Sequence, residues 1–176
     1  SSKLISEICK AENIKKDQNR FNLGCIPCLE KDGEFELIKN AEFLDHTISA
    51  KMMRGSNFSS ELHNALLSDP HLKNYMNIPS KDNGFDIEGL AVENQRIFLG
   101  LRGPVLNGYA VIIEIKVDAL NNELIMQQRE GEDFLYRKHF VDLLGMGIRE
   151  LNIDDTGDLY ILGGPTMDCD GTISIY

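Results

Sequence analysis

The residues with the greatest capacity for chemistry are two carboxylates, Asp86 and Glu88, two positions apart. An extended backbone points residues i and i+2 to the same side, so a strand here presents both acids on one face. Two carboxylates on one side of a core strand are costly unless something compensates them. One compensation is a hard cation. Ca²⁺ takes oxygen ligands from carboxylates, amides and water, and Asn83 adds an amide to the pair. A divalent cation such as calcium, held by Asp86 and Glu88, would polarise a substrate or its attacking water. The other compensation is an internal ion-pair network, Glu88 with Arg149 and Glu150 with Arg102. Lys81, Asn83, Arg102, Arg149 and Glu150 are the expected ligand-binding residues, and the two arginines suit an anionic group.

The remaining motifs carry less. Cys25-Ile-Pro-Cys28 has a CxxC spacing, but no second pair follows, and His46, His63, His71 and His139 are scattered. Part-buried thiols are the expectation, with a disulfide or a metal site as alternatives. The acidic turn Asp154–Asp158 lacks the terminal Glu of a calcium loop and reads as a hairpin turn, as does Asp168–Gly171. Gly100-Leu-Arg102-Gly103 lacks a third glycine and a following helix, so it is no nucleotide fingerprint. His139 has no matching nucleophile motif and reads as structural or surface.

The elements that must position the two acids are short strands. Phe85–Glu93 alternates as a strand, Asn94-Gln95 is a tight connection, and Arg96–Leu101 is the second strand. Tyr109–Val117 is a third, rich in Val and Ile, and Glu123–Gln128 a fourth. Four consecutive antiparallel strands are what one propeller blade requires. The pattern then recurs at an offset of about 61 positions, with Ile148–Ile153, a turn at Asp154–Gly157 and Asp158–Leu162. Both copies end at a Gly-Pro, and Thr172–Tyr176 matches the third strand. Upstream, Phe21–Leu29 and Glu34–Ile38 flank the turn Lys31-Asp32-Gly33 as a hairpin. Asn40–Met53 is of uncertain type. Between Asn57 and Met76 the apolar spacing is helical, with Ser59 or Ser60 as cap and Pro70 splitting the helix in two.

The run KDNGFDIEGLAV, followed by IFLGLRGPVLNGYAVIIEI and LLGMGIREL, resembles an uncharacterised bacterial family catalogued only as a domain of unknown function. That family looks like a relative of the esterase-like domain found in some phytase-annotated proteins. The helical lead-in LLSDPHLKNYMNIP also fits it. The resemblance covers about residues 58–165. It implies a propeller-like β fold, no established activity, and a longer chain than this one. By fold-level analogy, the Glu-Gly-Leu of β-strand 88–90 is similar to the metal-binding Glu-Gly-Pro of lactonase-type propellers.

Composition bounds these readings. The 176 residues suffice for one domain with its own core. The formal net charge of −10 disfavours nucleic acid as a partner, because an acidic surface repels phosphate backbones. The cluster Lys10, Lys15, Lys16 and Arg20 is its only local reversal. No run approaches a membrane span, and no signal-peptide pattern opens the chain, although a Ser-Ser start leaves room for a removed leader. A soluble, cytoplasmic protein is the expectation.

The expected fold is mainly β: propeller-like antiparallel blades, a partial propeller, with a short helical insertion at residues 58–76. Residues 1–176 form a single domain, a fragment of a longer propeller, with repeated blade units at 85–128 and 148–176. The expected function is a ligand-binding or scaffold module, its partner a small molecule or another protein. The alternative is a divalent-metal-dependent hydrolase of the esterase, lactonase or phosphoesterase type. An open sheet edge is expected to invite self-association.

Overall fold

A computed structural model describes residues 22–43, 46–56, 58–128, 131, 133–167 and 171–176. The N-terminal part holds short strands: β1 (Gly24–Cys25), β2 (Cys28–Lys31), β3 (Glu34–Leu37), β4 (Asn40–Phe43), β5 (His46–Ser49), β6 (Lys51–Met53), β7 (Gly55–Ser56) and β8 (Ser59–Ser60). β2 and β3 form the expected hairpin. Asp32 and Gly33 both have positive φ, as the tight two-residue hairpin turn demands. The stretch of uncertain type, residues 40–53, is the hairpin β4–β5 followed by β6.

Helix α1 (Glu61–Leu66) starts where Ser60 accepts a hydrogen bond from His63 N at 3.2 Å. Its Leu62 and Leu66 are buried. Beyond Pro70 the expected second helix is only a 3₁₀ turn at Lys73–Tyr75. Asp69 takes the backbone N–H groups of His71 and Leu72, which fixes a turn in place of an α-helical start.

The body of the fold is β9 (Asp86–Glu93), β10 (Arg96–Gly103), β11 (Tyr109–Leu120), β12 (Glu123–Met126), β13 (Tyr136–Asp142), β14 (Gly147–Ile153), β15 (Leu159–Gly164) and β16 (Ser174–Ile175). Strands β9, β10, β11 and β13 run antiparallel in that order. This corrects the expectation that Glu123–Gln128 is the fourth strand of the first unit. β11 is 12 residues long and its end overhangs β10, whose last partner on it is Lys116. β12 pairs with that overhang, from Val117 to Leu120, and also runs parallel to β6. The near half of β11 is left to β13, which pairs with it from Tyr136 to Asp142. The sheet as a whole is a curled half-barrel. β14, β15 and β16 form a second, three-stranded sheet.

β11 reads Ala-Val-Ile-Ile because both of its faces are buried. Val111, Ile113 and Ile115 join Leu99 and Leu101 of β10, Leu62, Leu66 and Leu72 in one core cluster. Ala110 and Ile112 face the other way, against Ile148, Leu151 and Ile161 of the second sheet. Gly89 and Gly100 pair directly across β9 and β10. A Cβ on Gly100 would lie 2.4 Å from Ile148 Cγ2, and one on Gly89 2.9 Å from it. The paired glycines therefore make the flat patch on which β14 sits. Among the described residues β9 pairs only with β10, so its outer edge carries no strand.

Candidate functional site

Three irregularities of register build the site. Along β9–β10, Gly100 pairs with Gly89 and Leu101 with Ile87, which leaves Glu88 as an extra residue on β9. The next pair, Gly103 with Asp86, leaves Arg102 as an extra residue on β10. Along β14–β15, Ile148 pairs with Gly163 and Glu150 with Leu162, which leaves Arg149 extra on β14. A bulge re-aims the side chain of its unpaired residue. Here all three re-aimed side chains are charged, and they meet.

Arg102 Nη1 donates to Glu88 Oε1 at 2.9 Å, and Arg149 Nη1 donates to Glu88 Oε2 at 2.6 Å. Asp86 Oδ2 lies 3.3 Å from Arg102 Nε. That nitrogen is buried and has no hydrogen-bond partner, so the Asp86 contact is an ion pair off the hydrogen-bond line. The side chains are partly accessible, Arg102 at 14% and Arg149 at 30%. Glu88 and Arg149 are 61 residues apart, the offset of the expected repeat, and each is the extra residue of its own bulge. Gly147 brings the two sheets into register at this point. A Cβ there would stand 1.9 Å from the carbonyl oxygen of Arg102.

The other expected residues lie around this cluster with separate roles. Asn83 ends the 3₁₀ turn Ser80–Asp82 in left-handed conformation, with φ 61°. Its Oδ1 accepts Val105 N at 2.9 Å, which pins the exit of β10. Lys81 is exposed on that same turn. Glu150 is exposed on β14 and makes no ion pair with Arg102, because the bulge at Arg149 returns it to the ladder opposite Leu162. The pair Glu88–Arg149 forms as expected, whereas Arg102 turns to Asp86 and Glu88. Among the described residues, no group of three His, Cys, Asp or Glu is arranged to hold a metal ion. Cys25 and Cys28 are exposed free thiols, not the part-buried ones expected. Cys9, Cys169, Asp168 and Asp170, like Lys10, Lys15, Lys16 and Arg20, lie outside the described residues. In the Asp154 turn the carboxylate accepts the hydroxyl and N–H of Thr156 and the N–H of Asp158. The Thr156 hydroxyl foremost, with those N–H groups, holds Asp154 below the usual carboxylate range.

Two further charged clusters escape sequence reasoning. Glu114 of β11 is buried and meets His139 Nε2 at 2.8 Å and Arg96 Nη1 at 3.4 Å. Its signal was a lone acid inside an apolar run buried on both faces. Asp69 is 1% exposed. It accepts from His71 N at 2.8 Å, Leu72 N at 3.0 Å, and Tyr136 Oη and Lys138 Nζ at 2.5 Å each. Burial alone would raise its carboxyl, but the donors from Lys138, Tyr136, His71 and Leu72 outweigh it and hold the acid below its ordinary value. Burial, then the hydrogen bond to Asp69 and its charge, push the Tyr136 phenol well above its ordinary range. Nothing in the sequence separates Asp69 from an ordinary Asp-Pro turn, because its partners on β13 lie almost 70 residues away.

Together these features define a mainly β protein with a bulge-built charged node. The chain belongs to the family described as Protein of unknown function (DUF3616), which matches residues 2–176. No curated protein and no solved structure matches it. Among the described residues no helix is long and apolar enough to cross a membrane.

Proposed function

We propose that the chain is a ligand-binding module built from propeller-type blades, and that the node takes a small molecule through a carboxylate or phosphate group. The sheets β9–β10–β11–β13 and β14–β15–β16 are read as consecutive blades. The shared offset and the shared bulge support that reading. The ligand follows from counting donors. Two guanidinium groups offer about ten N–H bonds between them. Glu88 takes one from each, and Asp86 takes none from Arg102 Nε in hydrogen-bond geometry. The buried Arg102 Nε, which makes no hydrogen bond and meets Asp86 only off the hydrogen-bond line, is the observation that carries the proposal, since it shows the donors of the node to be incompletely satisfied. Glu88 serves as the post that aims both arginines.

The same count disfavours the cation reading of Asp86 and Glu88, because a metal would have to displace guanidinium from Glu88. A thermal-melting screen decides between them. Citrate and inorganic phosphate at low ionic strength are expected to raise the melting temperature, and Ca²⁺ is not. A rise with Ca²⁺ that EDTA reverses, with no response to either anion, would replace the proposed ligand by a divalent cation.

A further inference from the structure

Away from the charged node, a cavity of 410 Å³ lies between the Asp69–Leu72 turn and strand β13, within the range of small-molecule sites. Its floor is the buried Asp69 carboxylate with Lys138 and Tyr136. Lys138 Nζ also lies 3.1 Å from His71 Nδ1. An ammonium group only donates, so His71 must accept on Nδ1 and carry its proton on Nε2. Lys138 has three N–H bonds, of which Asp69 and His71 take two. The floor therefore offers a remaining ammonium N–H and an imidazole N–H, both wanting acceptors. The walls are aromatic. Phe140 meets the His71 ring edge-on at 5.7 Å, and Phe134 lies tilted by 46° against Tyr136 at 5.8 Å. Phe134 and Phe140 are each about half exposed, which leaves apolar ring surface facing the opening. Asp133 and Arg137 both line the opening with opposite charges, so the selection rests on the two floor donors, which suit a single carboxylate.

We propose that this cavity is a second binding site, for a small planar carboxylate whose ring lies against Phe140 and Phe134 and whose oxygens take the Lys138 and His71 donors. Asp69 keeps Lys138 in place, and Tyr136 takes up part of the acceptor capacity of the same Asp69 oxygen. The site is independent of the Arg102–Arg149 node and shares no residue with it.

The test is a ligand-observed NMR titration of the full chain with benzoate, and with acetate as the carboxylate without a ring. Benzoate is expected to bind in the millimolar range or tighter, and acetate not measurably. Phe140→Ala removes a half-exposed ring outside the core and should weaken benzoate about fivefold or more. His71→Ala should weaken it comparably, and Lys31→Gln, exposed on β2 and part of neither site, should leave it unchanged. Absence of benzoate binding overturns the proposal. So does binding that survives Phe140→Ala and His71→Ala, and so does binding lost in Arg149→Gln alone, which would place the carboxylate at the charged node.

Discussion

Replacing Asp69 by Asn tests how a buried charge is held in this fold. The amide has nearly the shape of the carboxylate, and its oxygen can still accept the N–H groups of His71 and Leu72, so the turn before β9 survives. The amide nitrogen, however, faces Lys138 Nζ, a donor against a donor. Lys138 is only 15% exposed in its side chain, so its charge is left largely uncompensated. Breaking a buried pair by removing one partner costs about 3–5 kcal/mol. The lower end applies, since the lysine stem can carry its head outward, giving about 3 kcal/mol. For a chain of this length that is a fall in melting temperature of about 6–12 °C. Urea unfolding followed by circular dichroism reads the free energy directly, and the slope with denaturant should not change. The pH dependence has a definite sign. The folded Asp69 carboxyl lies below its ordinary value of 3.8, so its contribution is present above that value and is lost as pH falls through the folded value. The gap between wild type and variant should therefore be flat at neutral pH and narrow below about pH 4. A loss under about 1 kcal/mol, or an equal loss when Lys138 is already Met, would refute the account of this buried pair.

The remaining expectations concern the framework. Gly147→Ala places a methyl group into the backbone of Arg102 and should destabilise by more than about 2 kcal/mol in the same urea assay. Ser60→Ala removes the cap of α1 and should cost about 1 kcal/mol, while Ser59→Ala should cost less. Leu101→Ala, at a fully buried position between β9 and β11, should cost about 2–5 kcal/mol.

The hairpin β9–β10 was legible almost to the residue, because period-two alternation and the Asn94-Gln95 turn are local signals. The bulge at Arg149 lies 61 positions after the one at Glu88, the offset of the expected recurrence. The site residues Asp86, Glu88, Arg102 and Arg149 were legible as types. Their pairing was legible only in part, because each partner depends on an extra residue in a ladder. Alternation alone puts Glu150 and Arg102 within reach of each other, and two bulges undo that. The role of Tyr136–Asp142 as the fourth strand was not legible. Local order favours the sequence neighbour β12, and only the length of β11 leaves its near half open to a strand from farther along. Asp69 and Glu114 were missed for a related reason. Both are acids whose cost of burial is met by side chains distant in sequence, and no local pattern announces such a partner.

The central claim is that Glu88 aims two arginines, Arg102 of β10 and Arg149 of β14, at an acceptor-bearing ligand. Calorimetric titration of citrate at low ionic strength into the wild type and Arg149→Gln tests it most directly. The account predicts saturable binding to the wild type and a loss of about tenfold or more in the variant, the worth of one charge-assisted hydrogen bond. Equal heats in the two proteins, or none in either, would contradict it.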